Sequence, residues 1–358
     1  MEITSIDATT VTVPVELPPD LNTVEFTIVL VSVETNTGVV GYGETGMVTP
    51  EATVSYIEQQ IAPRLIGRDP IRTGHIWTDL QKELNPRTQT GVWSTAVSAV
   101  DIALWDIKGK HYGDPIWRLL GGASETLPVY VTVGGHFEET ETLIEAVEKY
   151  VSDGFNRIKI RVGEGTPPDP LEDAKRITAV REAIGPEVEL MIDANYQYSF
   201  SKALELCNLI EDVNLTWFEE PVYANDASLL SDLRTRTTVP IAAGQNEGSR
   251  HRHNSLIESR SVDISQPNVC FVGGFTEGVK VAATAESSNI LLAHGGGWPF
   301  QNMHLYAGIP NGWRLELHDI VWNCAEKVYQ SIPEIADGSI TLPEAPGIGL
   351  EPDEEAIK

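Results

Sequence analysis

Asp193, Glu219 and Gln245 follow one another at equal intervals of 26 residues. Each stands where a short apolar run, within VELMID, NLTWFEE or VPIAAGQ, gives way to polar residues. Equal spacing is what successive strand–helix repeats produce, so the three side chains should converge on one point. Hard oxygen donors arriving from three sides, with positions left for water and a ligand, suit Mg2+. The third donor is an amide where a carboxylate is expected. Its oxygen can still coordinate, but the site is one negative charge short and its affinity should fall. Glu247, two residues on, would face the same way if the strand continued, and is the alternate third ligand.

Other strand-like runs also end in groups that packing alone does not require: Lys159 and Arg161, Asn195, Glu220, Gln266 and Asn268, His294, and Glu316. The runs that must position them are LPVYVTV, RIKIRV, VELMID, NLTWFEE, VPIAA, SVDISQP, NILLAH and WRLEL, recurring every 21 to 31 residues. Helical patterns such as ETLIEAVEKYV and DAKRITAVREAI lie between them. Eight evenly spaced strands alternating with helices predict a closed parallel barrel, whose chemistry sits at the C-terminal strand ends. Before the barrel, residues 1–122 read as an α+β unit. ITSIDATTVTVPV and FTIVLVSVETNTGVVGYGET form its antiparallel strands, with ETNTG as a hairpin turn. The barrel takes residues 123–328. The Pro/Gly-rich segment 329–358 is expected to pack back on the first unit.

Composition narrows the function classes. Of 358 residues, 52 are acidic and 25 basic, and only ten of the basic ones are lysine, for a net charge of −27. Such a field repels nucleic acid and anionic membranes. The acid is scattered in pairs rather than gathered in a tail, as on the solvated surface of a halophilic protein. No apolar run approaches the ~20 residues of a membrane span, and MEITSIDATT has no leader pattern, so a cytoplasmic location is expected. Cys207, Cys270 and Cys324 are too far apart for a thiolate metal site and read as buried apolar residues.

The ordered set SAVDIALWDIKGKHYGDPIWRLLGG (98–122), IKIRVG (158–163), LMIDANYQ (190–197), WFEEP (217–221), IAAGQNE (241–247), QPNVCFVGG (266–274), LLAHGGG (291–297) and WRLE (313–316) resembles the enolase superfamily. Within it, the resemblance is to the mandelate racemase/muconate lactonizing enzyme group, and it spans essentially the whole chain. It implies an α+β capping domain over a (β/α)7β TIM-like barrel, one essential Mg2+, and a homo-oligomer. The implied chemical step is removal of the proton α to a carboxylate, with the metal stabilising the enediolate. That proton is weakly acidic, so a base alone is insufficient without nearby positive charge and hydrogen-bond donors.

The resemblance makes Asp193 and Glu219 metal ligands, with Gln245 at the third ligand position. It makes Asn195 a substrate contact and Glu316 a partner of the substrate carboxylate. Three positions depart from the family pattern. The usual Lys-x-Lys of the second strand is Lys159-Ile160-Arg161. Arginine keeps its charge, so Arg161 suits a carboxylate clamp and should lower the pKa of Lys159, which would be the base if a lysine works here. Asn268 stands where an aspartate usually orients the seventh-strand histidine. Its amide oxygen is expected to accept the His294 N–H, leaving His294 a weaker base or an acid toward a leaving hydroxyl. Gln245 is the third. Segments 18–22 (PPDLN) and 46–50 (GMVTP) correspond to loops closing over the substrate and suggest a small polar one, and Trp298 either walls the pocket or packs. The expected activity is dehydration of a sugar acid to a 2-keto-3-deoxy acid, a lyase reaction. An isomerase (racemase, epimerase or cycloisomerase) is the alternative, and a catalytically impaired acid-binding relative is the reading from another class.

Overall fold

The computed structural model describes residues 1–17, 22–46, 49–84, 89–133, 139–353 and 355. Strands β1 (Ile3–Leu17), β2 (Asn22–Thr35) and β3 (Val40–Gly46) pair antiparallel in that order, and the turn between β2 and β3 falls on ETNTG as expected. One face of this sheet meets the long helix Val92–Tyr112, whose buried residues include Ala96, Val100, Ala103, Leu104 and Ile107.

The next eight strands are β4 (Thr126–Val133), β5 (Arg157–Arg161), β6 (Glu189–Asp193), β7 (Trp217–Glu219), β8 (Ile241–Ala243), β9 (Ile264–Ser265), β10 (Leu291–Ala293) and β11 (Gly312–His318). Each pairs parallel with the next, and β11 pairs parallel with β4, closing the barrel. Strand alternation divides the side chains. Ile158, Ile160, Ile192, Phe218 and Ile241 join the cluster that includes the outer helices. Tyr130, Met191, Trp217, Ala242, Ile264 and Ala293 form a separate inner plug, with Trp313 packed against it. The Tyr130 and Trp217 rings meet edge to face at 5.2 Å. Such a filled interior makes the barrel a rigid seat rather than a pore.

Register sets the height of the site. Arg161 lies beside Asp193, Asp193 beside Glu219, and Glu219 beside Ala242. Lys159 is one inward-facing level lower, between Thr132 and Met191.

The tail first forms a small hairpin whose segment Ser339–Thr341 pairs antiparallel with the start of β4. It then returns to the long helix, where Ile348 N–H donates to Asp106 at 2.8 Å and Glu351 pairs with Lys110 at 2.7 Å. The three-stranded sheet is bolted to the barrel through Glu44 on β3. Its buried carboxylate accepts from Trp298 Nε1 at 2.6 Å, from Gln301 Nε2 at 2.8 Å and from the Tyr329 hydroxyl.

Candidate active site

Lys159 is fully buried at the centre of the barrel mouth. Its Nζ lies 2.8 Å from Glu219 Oε1, 2.8 Å from Glu316 Oε1 and 3.4 Å from Asp193 Oδ2. Burial alone would lower the lysine pKa, but Glu219 and Glu316 reverse the sign and hold it well above its ordinary value. The expected lowering by Arg161 is therefore overridden: Arg161 sits at the rim, while three carboxylates surround the ammonium. Burial pushes Glu219 up to about 8, with Asp193 and Glu316 adding to the rise and Lys159 opposing it. Burial would also raise Glu316, but Lys159 beside it holds that carboxyl well below the usual range.

With all three carboxyls ionised against one ammonium, two formal negative charges remain, which one divalent cation would balance. Glu219 Oε2 is occupied by Trp217 Nε1 at 3.0 Å and Gln266 Nε2 at 2.9 Å, while Oε1 faces inward toward Lys159. Gln245 is buried, and its Nε2 donates to Glu220 Oε2 at 2.6 Å. Its oxygen is turned the other way, toward the Gly295–Gly297 loop. A Cβ placed on Gly295 would lie 3.1 Å from Glu219 Oε1 and 3.2 Å from Gln245 Oε1. The bare glycine thus leaves a small cradle between two oxygens of the expected ligand set. Asp193 completes the set, its Oδ1 steadied by the Asn195 N–H at 2.8 Å. No group of three His, Cys, Asp or Glu side chains forms a metal centre among the described residues. The oxygen set that fits Mg2+ here is two carboxylates and one amide.

A cavity of about 200 Å3 opens above these groups, lined on its polar side by Arg161, Asp193, Asn195, Gln245, Glu316 and His318. Phe26 of β2, with Ile320 and Val321, forms the opposing apolar side. A larger cavity of about 380 Å3 lies around Arg234 and Asp263, which pair with each other at 2.5 Å. It carries none of these groups. The loops over the site hold several non-glycine residues in left-handed backbone, at φ 43° for Asn195, 67° for Tyr196, 43° for Glu220 and 61° for Trp298. Strain of this kind, of order 1–3 kcal/mol per residue, persists where surrounding contacts fix a functional geometry.

This arrangement has close parallels among known proteins. The description "Mandelate racemase / muconate lactonizing enzyme, N-terminal domain" matches residues 4–121, and "Enolase C-terminal domain-like" matches residues 142–356. The chain belongs to the mandelate racemase/muconate lactonizing enzyme group of the enolase superfamily. It is 34% identical to the D-galactarolactone cycloisomerase of Agrobacterium fabrum, covering 92% of this chain and 90% of that protein. It is 32% identical to the arabinonate dehydratase of Saccharolobus solfataricus, covering 90% of this chain and 87% of that one. A crystal structure of L-talarate dehydratase from Polaromonas sp. JS666, complexed with Mg and L-glucarate, superposes with a TM-score of 0.88 at 30% identity, covering 99% and 96% of the two chains.

Within this mandelate racemase-type barrel, several expected positions are placed differently from the sequence reading. Strand β8 ends at Ala243, and the chain turns so that Glu247 N–H bonds Gly244 O at 3.0 Å. Glu247 consequently pairs with Arg252 at 2.8 Å and with Asn225 at 3.3 Å, and does not join the ligand set. Asn268 does not orient His294 through its oxygen. That oxygen accepts from Cys270 N–H and Asn302 Nδ2, both at 2.9 Å, and its nitrogen donates to the carbonyls of Gly295 and Gly297. His294 is fully buried beneath the glycine loop, outside the cavity lining, with Nδ1 accepting from the Glu316 N–H at 3.2 Å. Burial pulls its pKa down to about 4, against the nearby Glu316 charge. Trp298 packs, between Phe26 and Phe271. The loop segments 18–21 and 47–48 lie outside the described residues.

His318 is an ionisable cavity residue that the sequence reading passed over. It is the last residue of β11, two positions beyond Glu316 and therefore on the same face. Its Nδ1 has no hydrogen-bond partner among the described residues. Burial lowers its pKa, with Glu316 and Asp319 pulling the other way. The period-two signal E-x-H at a strand end could have identified it.

Proposed function

We propose that the protein is a Mg2+-dependent sugar-acid dehydratase that removes the proton α to the carboxylate and expels the β-hydroxyl. The observation that carries the reading is a small cavity with one polar wall, set directly over Asp193, Gln245, Glu316 and the Lys159 cluster, and closed on one side by Phe26 of the capping domain. Relatives named as arabinonate and L-talarate/galactarate dehydratases support the substrate class. Asp193, Glu219 and Gln245 would hold Mg2+, which when bound supplies the positive charge that makes the α-proton acidic enough to remove.

The chain's own residues account for the rest. Arg161, at the cavity rim and only 3.5 Å from Glu164 at its Nε, keeps donors free to clamp a substrate carboxylate. Asn195 offers an amide to the same cavity. Lys159 becomes a base only if its ion pairs with Glu219 and Glu316 are displaced. His318 needs no such displacement, so it is the proposed proton-transfer group. It takes the α-proton, the C–H electron pair forms the Cα=Cβ bond, and the β C–O bond breaks as the His318 imidazolium returns that proton to the departing hydroxyl, which leaves as water. The enol then tautomerises to the 2-keto-3-deoxy acid. We further read the enzyme as cytoplasmic, halophilic and homo-oligomeric.

Cycloisomerisation is the second reading, supported by the galactarolactone and 3,6-anhydro-galactonate cycloisomerases among the relatives. Incubation of a sugar-acid and lactone panel in D2O, followed by NMR and a keto-acid assay, separates the two. Keto-acid formation is expected. Deuterium at Cα without any keto acid would replace the dehydratase reading by the isomerase one. His318→Gln should lower turnover by about 10²–10⁴-fold, and wild-type rates in that variant would return the base role to Lys159.

A further inference from the structure

The amide at the third ligand position has a partner that explains how it can serve there. Gln245 Nε2 donates to Glu220 Oε2 at 2.6 Å, the orientation that an ionised carboxylate, which only accepts hydrogen bonds, selects. A planar amide then sends its oxygen to the opposite side, where it faces the cradle at Gly295 shared with Glu219 Oε1. Glu220 is itself fixed. Its other oxygen accepts from the Tyr196 hydroxyl at 2.6 Å and Asn225 Nδ2 at 3.0 Å. Its backbone N–H bonds Ala242 O at 3.0 Å, in a left-handed conformation at φ 43°. The whole side chain is buried, so no solvent competes for these donors.

We propose that Glu220 is a positioning residue that selects one of the two amide orientations of Gln245, the one presenting oxygen to the cation. The opposite orientation would aim the NH2 group at Mg2+. On this view the carboxylate missing from the ligand set has moved one layer back. Gln245→Glu would then fail to improve the site by itself, because it brings two carboxylates to hydrogen-bond distance. Exchanging both residues, Glu220→Gln with Gln245→Glu, would recreate the pair with donor and acceptor reversed and place a carboxylate on the metal. The proposal rests on the reading that Mg2+ is held by Asp193, Glu219 and Gln245.

The test is calorimetric Mg2+ titration of the full chain as wild type, Glu220→Gln, Gln245→Glu and the exchanged double variant, each checked for fold by circular dichroism. Glu220→Gln offers one acceptor oxygen to three donors and should weaken binding tenfold or more, as outer-layer partners of metal ligands do. Gln245→Glu should bind no tighter than wild type, and the double variant should bind at least tenfold tighter than Gln245→Glu alone. If Glu220→Gln does not fold, Tyr196→Phe, which removes one donor from Glu220, should still weaken binding severalfold. Wild-type affinity in Glu220→Gln, or a double variant equal to the product of the two single effects, overturns the positioning role alone. A wild-type protein with no saturable Mg2+ binding overturns both this role and the metal reading.

Discussion

Lys159 shows how much of this site is electrostatic architecture. Three carboxylates face one ammonium in a region closed to solvent, so the lysine is the counter-ion on which their burial depends. Removing one partner of such a group typically costs roughly 3–5 kcal/mol, because the remaining charges stay buried and unpaired. Lys159→Met should therefore lower the unfolding free energy by about that amount in EDTA. Mg2+ should then stabilise the variant more than it stabilises wild type, since the cation would meet an uncompensated cluster. Thermal melts of both proteins with and without Mg2+ check this, and equal Mg2+ increments would contradict it. At this scale the sequence was only partly legible. Asp193 and Glu219 could be read from their spacing because each strand–helix unit repeats the same path. The oxygen of Asn268 could not, because its direction is set by Asn302, 34 residues away on another element. Glu247 was misplaced for a simpler reason: its direction depended on a strand that ends four residues before it.

The elements that matter most are the loop after β10 and strand β3, which meet at Trp298. Gly295 keeps the cradle open, since any Cβ there approaches Gln266 Nε2 at 2.9 Å and two oxygens of the site at little more than 3 Å. Gly295→Ala should weaken Mg2+ binding about tenfold or more while changing the melting temperature little, because the methyl group enters the site rather than the core. Calorimetry beside a melting curve tests the pair of outcomes, and unchanged affinity would place the cation elsewhere. Glu44 governs the other side of this junction. Burial raises its pKa to about 7 from an ordinary 4.5, against the donors Tyr329, Trp298 and Gln301. An acid raised in the folded state binds more protons folded than unfolded between those values. Its contribution to stability is fully present below pH 4.5 and is lost as pH rises through 7. Urea unfolding should show wild type gaining stability from pH 8 to pH 6, and Glu44→Gln should remove part of that gain. Strand and helix placement was readable here from periodicity, but the contact between β3 and the barrel loop joins residues 254 positions apart and has no local signature.

For the whole molecule, the dominant quantity is a net charge of −27 on 358 residues. The capping sheet, the barrel and the returning tail form one body, joined at Glu44, at Asp106 with Ile348, and at Trp77 with Gly273. Unfolding therefore relieves the self-repulsion of the entire acidic surface at once. Screening lengths fall from about 10 Å at 0.1 M salt to about 3 Å at 1 M, so repulsion between exposed carboxylates is strongly reduced over that range. The Lys159 cluster is buried and screened far less, and exposed pairs such as Lys149–Asp153 contribute little in any case. Added KCl should consequently raise the melting temperature by several degrees between 0.1 and 2 M, with the surface as the source. The series must be run in EDTA, because Mg2+ at millimolar concentration would stabilise through its site by mass action. A melting temperature that stays flat or falls with KCl would mean that the exposed ion pairs outweigh the net repulsion, and the salt-adapted reading of the acidic surface would fail.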